Sequence, residues 1–139
     1  MDVFLSRVRR RQAVLVLVFL LAATTAPAGL VQEDENIRHR LGHFDAGSTI
    51  AIKVGEKFTV SLERKPDENA VWIWPMLPVK EVKLDKPEPE TTTTGDKIIE
   101  TYTFVGVGLG FGDVFAELVH PDDYANSLAH YAVKVQVVP

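Results

Sequence analysis

Few residues in this chain have the types and spacing that metal binding needs. His39 and His43 stand four positions apart, a spacing that puts two ligands on one face of a helix, and Asp45 is near enough to be a third ligand. The segment around them has no helical period, so the sequence favours solvated side chains there over a metal site. We expect no metal and no cofactor.

Residues for covalent or acid–base catalysis do not form a known pattern either. No Gly-x-Ser-x-Gly elbow surrounds Ser48, Ser61 or Ser127, and the chain has no cysteine that could act as a thiolate. Asp122 and Asp123 are adjacent, so on regular structure their side chains diverge instead of flanking a substrate. The sequence therefore predicts no catalytic residue and a protein that is not an enzyme.

Residues 106–112 have the glycine content of a nucleotide-binding loop but not its spacing. A motif that begins at Gly106 would need its third glycine at Phe111, and one that begins at Gly108 would need it at Asp113. The pattern Gly-x-Gly-x-x-Gly is therefore never completed. Glycines that alternate with Val, Leu and Phe are typical of a close-packed strand or corner. We interpret this stretch as part of the scaffold.

The candidates that remain are polar loops, and alternating strands are expected to position them. Apolar residues occupy every second position in residues 50–54 and again in residues 58–62, with a Gly55-Glu56 turn between them. This period of two predicts half-buried antiparallel strands. A polar loop, residues 65–69, then leads into an aromatic strand in which Trp72 is predicted to be a core residue. Trp74 is predicted to be a second core aromatic, with a surface anchor as the alternative.

The rest of the chain continues the pattern of short strands. Residues 31–44 are polar and predict a mobile arm or a short leading strand, whereas residues 79–84 predict an edge strand and residues 91–96 a turn. Further strands are expected at 98–105, 114–119 and 129–138. About seven short strands without a helix predict an all-β, immunoglobulin-like antiparallel β-sandwich.

The first 28 residues have the form of a secretory signal peptide. Four arginines precede an apolar run from Ala13 to Ala23, and Ala26-Pro27-Ala28 supplies small residues for cleavage. The run is shorter than the roughly 20 apolar residues that span a bilayer, so we expect cleavage and no stable membrane span afterwards. A membrane-anchored envelope protein is the alternative if the segment is kept.

This interpretation divides the chain into a signal peptide (1–28), a polar N-terminal arm (29–46) and a sandwich domain (47–139), in a protein that is secreted or lies in the periplasm or cell envelope. The chain after residue 28 contains 11 basic and 18 acidic residues. Such a negative balance argues against nucleic acid as a partner. Without cysteine, the domain is held together by its core and not by disulfides.

Two stretches of the chain carry a specific order of motifs. Residues 47–74 contain two strands joined by a glycine turn, then the polar loop, then Trp72. Residues 102–121 contain Tyr102-Thr103-Phe104, a glycine turn at Gly110 and a closing His120-Pro121. In this order they resemble the chagasin family, secreted inhibitors of papain-like cysteine proteases with an immunoglobulin-like fold.

The resemblance implies a function and a binding site. Family members occlude the active-site cleft of a papain-like cysteine protease reversibly, with three loops at one end of the sandwich. The matching positions are Lys65, Pro66, Asp67, Glu68 and Asn69 in loop 1, Gly95, Asp96 and Lys97 in loop 2, and His120, Pro121, Asp122 and Tyr124 in loop 3.

The three loops differ in composition from those of the family. Each keeps one family residue, Pro66, Gly95 or Pro121, while Asp67-Glu68-Asn69 stands in place of Thr-Thr-Gly and Asp122 in place of an aromatic residue. Because loop chemistry decides what a loop binds, an alternative stays open. The protein is then an exported immunoglobulin-like protein-binding module that has lost protease inhibition.

Overall fold

The structure is a computed structural model that describes residues 35–139, so the predicted signal peptide lies outside the described residues. Its nine strands are β1 (Ile37–Leu41), β2 (Thr49–Lys53), β3 (Lys57–Arg64), β4 (Val71–Ile73), β5 (Val82–Leu84), β6 (Glu90–Thr94), β7 (Lys97–Gly106), β8 (Gly110–His120) and β9 (Asp123–Val138). Two short 3-10 helices cover His43–Asp45 and Pro66–Glu68. In this part of the chain no helix has the length and apolarity to cross a membrane.

The strands form two sheets that pack as a sandwich. One sheet has the order β1-β3-β7-β5, with β6 also paired to β7, and the other has the order β2-β9-β8-β4. Apolar residues at every second position of β2, β3, β8 and β9 are buried between the sheets. The predicted all-β sandwich is confirmed, with nine strands where the sequence pattern suggested about seven.

The two additional strands are β1 and β6. β1 lies within the predicted polar arm and is the leading strand that the sequence allowed there. β6 contains the threonines that we had assigned to a turn, and this assignment was wrong, since Thr91 to Thr94 pair with β7 in regular antiparallel register. β-Branched side chains favour a strand, so the turn itself shrinks to Gly95-Asp96.

Two strand pairs are parallel in a sandwich that is otherwise antiparallel. β1 pairs with β3 and β2 with β9 in parallel register. The chain enters the first sheet at β1 and then crosses to the edge of the other sheet through the turn at His43–Asp45. β1 and β2 therefore form an edge strand of each sheet, and the turn between them connects the two sheets.

Aromatic rings fill the centre of the core. Phe58 and Phe104, both without exposed surface, stack with ring centroids 5.0 Å apart. Trp74 packs edge-on against Tyr102 and Phe104, at centroid distances of 5.0 and 4.9 Å. Trp72 packs against the same core but is only partly buried. Its Nε1–H donates to the backbone carbonyl of Glu63 over 3.2 Å, which ties β4 to the end of β3.

The corner between β7 and β8 is close-packed, as its alternating glycines predict. A Cβ on Gly106 would lie 3.0 Å from Cδ1 of Ile52 and 3.2 Å from the carbonyl oxygen of Lys53. Gly106 also exchanges backbone hydrogen bonds with the β2–β3 turn, donating to Glu56 and accepting from Gly55. The glycine run therefore serves packing at the end of the sandwich opposite loops 1–3.

Tyr131 makes the fold sensitive to alkaline pH. It is 1% exposed, its hydroxyl has no hydrogen-bond partner among the described residues, and burial followed by the charge of Asp45 raises its pKa to about 12. Because this pKa lies above the value of about 10 for a free tyrosine, the folded state loses stability as the pH rises through about 10 to 12.

We expect Tyr131→Phe to unfold at nearly the same urea concentration as wild type near pH 8, since the hydroxyl has no partner to lose. Above about pH 10 the variant should lose less stability than wild type. Some loss remains, because burial and the hydrogen bond to Glu100 also raise the pKa of Tyr102. Parallel curves for the two proteins between pH 8 and 11 would contradict the assignment to Tyr131.

Candidate functional site

Strand register brings loops 1–3 to one end of the sandwich. Loop 1 (65–69) joins β3 to β4, loop 2 (95–97) joins β6 to β7, and loop 3 (120–124) joins β8 to β9. The pair Arg64↔Ile98 sets loop 1 beside loop 2, and the pair Val71↔Val119 sets it beside loop 3. We call this surface the loop end.

Loop 1 has a shape that its own sequence specifies. Pro66 opens the short 3-10 helix, where its fixed φ fits and its missing N–H costs nothing. The helix ends at Asn69, which adopts the left-handed conformation (φ 44°) that asparagine tolerates better than most residues. Ala70 is buried directly after it. The loop is therefore anchored at both ends, with Lys65, Pro66 and Asp67 exposed.

His120 connects loop 3 to loop 1. Its Nδ1 lies 3.3 Å from the backbone carbonyl oxygen of Asn69. Because a carbonyl only accepts, Nδ1 carries the proton in this contact. The hydrogen bond spans the gap between the two loops at the point where loop 1 turns, so His120 helps to fix the position of loop 1.

Loop 2 is a two-residue turn held by an ion pair at its base. Gly95 takes the positive φ (59°) that the turn requires. Nζ of Lys97 lies 2.7 Å from Oε2 of Glu63 on β3, and this hydrogen bond and the charge of Glu63 raise the pKa of Lys97. Nε of Arg64 pairs with Oε1 of Glu100 over 2.9 Å just below it.

Loop 3 is tighter than its sequence suggests. Only Pro121 and Asp122 form the turn, while His120 and Asp123 are already paired strand residues. Oδ2 of Asp123 accepts from the side chain of Asn126 over 2.7 Å. Tyr124, at an irregular point of the β8–β9 register, is 59% exposed and presents its ring to solvent.

The loop end is acidic and contains a cleft. Asp67, Glu68, Asp96 and Asp122 have no side-chain hydrogen bond or ion pair within the described part of the chain. A cleft of about 350 Å³ separates loop 1 from loop 2, and Lys65, Pro66, Asp67 and Asp96 line it. The loop end therefore offers carboxylates that have no hydrogen-bond or ion-pair partner within residues 35–139.

The residues considered for metal binding do not come together. Nε2 of His39 donates to the carbonyl of Ala51 over 2.9 Å, and Oδ2 of Asp45 accepts from the backbone N–H of Gly42 over 2.7 Å. Across residues 35–139, no group of three or more His, Cys, Asp or Glu side chains is arranged to hold a metal ion.

One side-chain cluster was missed from the sequence. On the outer face of β8 and β9, Oγ of Ser127 lies 3.1 Å and Nδ1 of His130 lies 3.6 Å from the same carboxylate oxygen of Glu117. A catalytic relay needs the histidine between serine and carboxylate, whereas here both contact the carboxylate. The strand register that pairs Glu117 with His130 creates the cluster, so no local sequence signal reports it.

An immunoglobulin-like sandwich that presents three short loops at one end is the class of protein that this fold defines. A solved structure of the same fold, the cysteine protease inhibitor EhICP2 from Entamoeba histolytica, aligns with a TM-score of 0.60 and 14% identity, over 72% of this chain and 94% of that one. Amebosin aligns with a TM-score of 0.53 and 18% identity, over 72% and 97% of the two chains.

A third structure, PbICP-C in complex with falcipain-2, gives a TM-score of 0.46 and 12% identity, over 74% of this chain and 92% of that one. No protein-family model matches the sequence, and no curated protein matches it. The resemblance to the chagasin family is thus confirmed at the level of the fold, on the likeness to EhICP2 and amebosin.

Proposed function

We propose that this protein is an exported, reversible inhibitor of papain-like cysteine proteases that blocks the active-site cleft with loops 1–3 and has no catalytic activity of its own. The observation that carries the proposal is the convergence of the three loops at one end of a fold shared with a cysteine protease inhibitor. Export rests on the signal-peptide pattern of residues 1–28.

The loop end is suited to inhibition because its loops are ordered before they dock. Pro66 and Asn69 fix loop 1, the hydrogen bond from His120 holds it against loop 3, and two-residue turns shape loops 2 and 3. An interface made of such loops loses little conformational entropy on binding. The inhibitor occludes the substrate cleft without presenting a peptide bond for cleavage.

The carboxylates of loop 1 set a condition on the target. Asp67 and Glu68 would lie near a catalytic thiolate–imidazolium pair. The thiolate repels their carboxylates and the imidazolium attracts them, so the two effects partly cancel. Removing the two carboxylates from water costs free energy unless each finds a partner. The target protease must therefore supply hydrogen-bond donors or cations where loop 1 docks.

The acidic loops also favour a second candidate, the exported protein-binding module without protease inhibition. Its binding surface would be the same loop end or the exposed edge strand β6, whose five residues are all solvent-accessible. An exposed strand edge can pair with a strand of another protein. This candidate makes the opposite prediction in a protease assay.

We expect the purified protein to inhibit papain or a cathepsin L-type protease reversibly, with a Kd below about 1 μM, or about 8 kcal/mol of binding free energy. Protease–inhibitor pairs are among the tightest complexes known for interfaces of standard size. The measurement is a titration of each protease with the protein, in which cleavage of a small fluorogenic substrate reports the remaining protease activity. Recovery of that activity on dilution shows that inhibition is reversible.

Two double variants test whether loop 1 is responsible for the inhibition. Pro66→Ala with Asp67→Ala alters loop 1 and should weaken inhibition about tenfold or more. Lys80→Ala with Lys83→Ala changes two exposed residues near the other end of the sandwich and should leave inhibition unchanged. Equal inhibition by both variants would remove loop 1 from the mechanism. No inhibition at high micromolar concentration by the folded wild type would favour the binding module.

A further inference from the structure

We propose that the cleft between loop 1 and loop 2 binds a cationic side chain, Arg or Lys, from the rim of the target protease's active site. The inference rests on the proposed function and adds a chemical requirement on the partner. Asp67 of loop 1 and Asp96 of loop 2 line this cleft, and neither carboxylate has a hydrogen-bond or ion-pair partner within residues 35–139.

The size and lining of the cleft suit a long cationic side chain. Its volume of about 350 Å³ gives room for an arginine or lysine side chain, and the ring of Pro66 provides an apolar wall for the aliphatic stem. Carboxylates from two different loops provide acceptors for the charged group, and a guanidinium can donate to both at once. Two exposed carboxylates that line one cleft therefore favour a cationic group there over an apolar or acidic one.

The protein's own cations leave this position open. Lys97 is engaged by Glu63 over 2.7 Å, and the charge of Asp96 adds less than Glu63 does to the raised pKa of Lys97. Arg64 is engaged by Glu100 over 2.9 Å. Lys65 is the one cation that lines the cleft, and its Nζ has no partner in the described part of the chain. Two carboxylates against one lysine leave the cleft negative, so a cation from the partner is favoured there.

Docking makes the requirement stronger. When the loop end covers a protease, water leaves the cleft, and carboxylates that stay without a partner then oppose binding. A cation at this position removes the penalty and adds a charge-assisted hydrogen bond. A protease with Arg or Lys on its rim opposite loops 1 and 2 is therefore bound more tightly than one with an apolar or acidic rim.

The first test compares two isosteric double variants that remove the same charge from the protein. Asp67→Asn with Asp96→Asn neutralises the cleft, whereas Glu88→Gln with Asp113→Asn neutralises two exposed carboxylates outside loops 1–3. We expect the cleft variant to raise the inhibition constant about tenfold, mainly through faster dissociation, and the control to raise it less than about threefold. Lys65→Met, which removes the competing cation, should lower the constant.

The second test uses no protease. Titration of the isotope-labelled protein, produced from the full-length chain, with N-acetylarginine methylamide should shift backbone amide NMR signals of residues 65–67 and 96. The shifts should be lost in the cleft variant and kept in the control. Equal effects of the two double variants on inhibition, or arginine shifts that persist in the cleft variant, would overturn the proposal.

The two tests also separate this inference from the proposed function. If the wild type inhibits no protease but arginine shifts the cleft signals, the proposed function fails and the cation site stands. If the wild type inhibits but arginine shifts nothing at the cleft, inhibition stands and the cation site is overturned.

Discussion

Replacing Phe104 by alanine is expected to lower the free energy of unfolding by about 3–5 kcal/mol. The ring has no exposed surface, stacks on Phe58 at 5.0 Å and receives the edge of Trp74 at 4.9 Å. Truncation removes both contacts and leaves a cavity between the sheets that the strands cannot collapse to fill. For a domain of this size the loss is a large share of a total stability of about 5–15 kcal/mol.

Urea unfolding followed by tryptophan fluorescence measures this loss, since Trp74 reports on the same cluster. Phe111→Ala is the matched control, because it removes an identical ring that is 60% exposed on β8, the next strand along the chain. The control should change stability by less than about 0.5 kcal/mol. Similar losses in the two variants would mean that Phe104 does not hold the sheets together.

The strands that make this core were predictable because each has one buried face. Residues 50–54 and 58–62 alternate, and they correspond to β2 and β3, with the side chains of Ile50, Ile52, Phe58, Val60 and Leu62 inward. Val54 was wrongly assigned to this buried face, since it lies just beyond the end of β2 and is 49% exposed. The same holds for the last two strands, whose bounds extend beyond the predicted ones but whose faces do not change. Burial on one side leaves a period of two in the sequence, and that period is what local analysis detects.

Two strands without this period were harder to predict. All five residues of β6 are exposed, so no alternation marks them, and only the β-branched threonines favour a strand. β1 mixes charged and apolar residues at the edge of its sheet, where one side of the strand faces solvent. Its parallel pairing with β3 depends on the crossing at His43–Asp45, a tertiary feature that the sequence of either strand does not encode.

The candidate site was also predictable only in part. The positions of loops 1–3 in sequence followed from the strands on either side and from the resemblance to the chagasin family. Their contacts did not, since the hydrogen bond from His120 to Asn69 joins residues 51 positions apart and the pair Lys97–Glu63 joins residues 34 apart. The cleft lined by Asp67 and Asp96 arises from the register of β3 against β7.

Gly108 provides a second prediction with a large effect, at the corner opposite the loop end. Its backbone packs directly on residues 80 and 81, where the N–H groups of Val107 and Gly108 both donate to the carbonyl of Glu81, over 2.8 and 3.3 Å. A Cβ at position 108 would lie 2.8 Å from the carbonyl oxygen of Lys80, closer than side-chain carbons approach backbone oxygens in folded proteins. Only glycine fits without a shift of one of the two segments.

We therefore expect Gly108→Ala to destabilise the protein by about 1–3 kcal/mol, the usual cost of overpacking against rigid backbone. Gly42→Ala is the control, because nothing lies within 4 Å of its Cβ position and its φ of −129° suits any residue. That substitution should be neutral or stabilising by up to about 1 kcal/mol, since alanine restricts the unfolded chain more than glycine does. The urea midpoint of Gly108→Ala should therefore fall below that of wild type, whereas the midpoint of Gly42→Ala should stay the same or rise. If both stay at the wild-type midpoint, the corner has room to shift, and close packing does not explain the glycine.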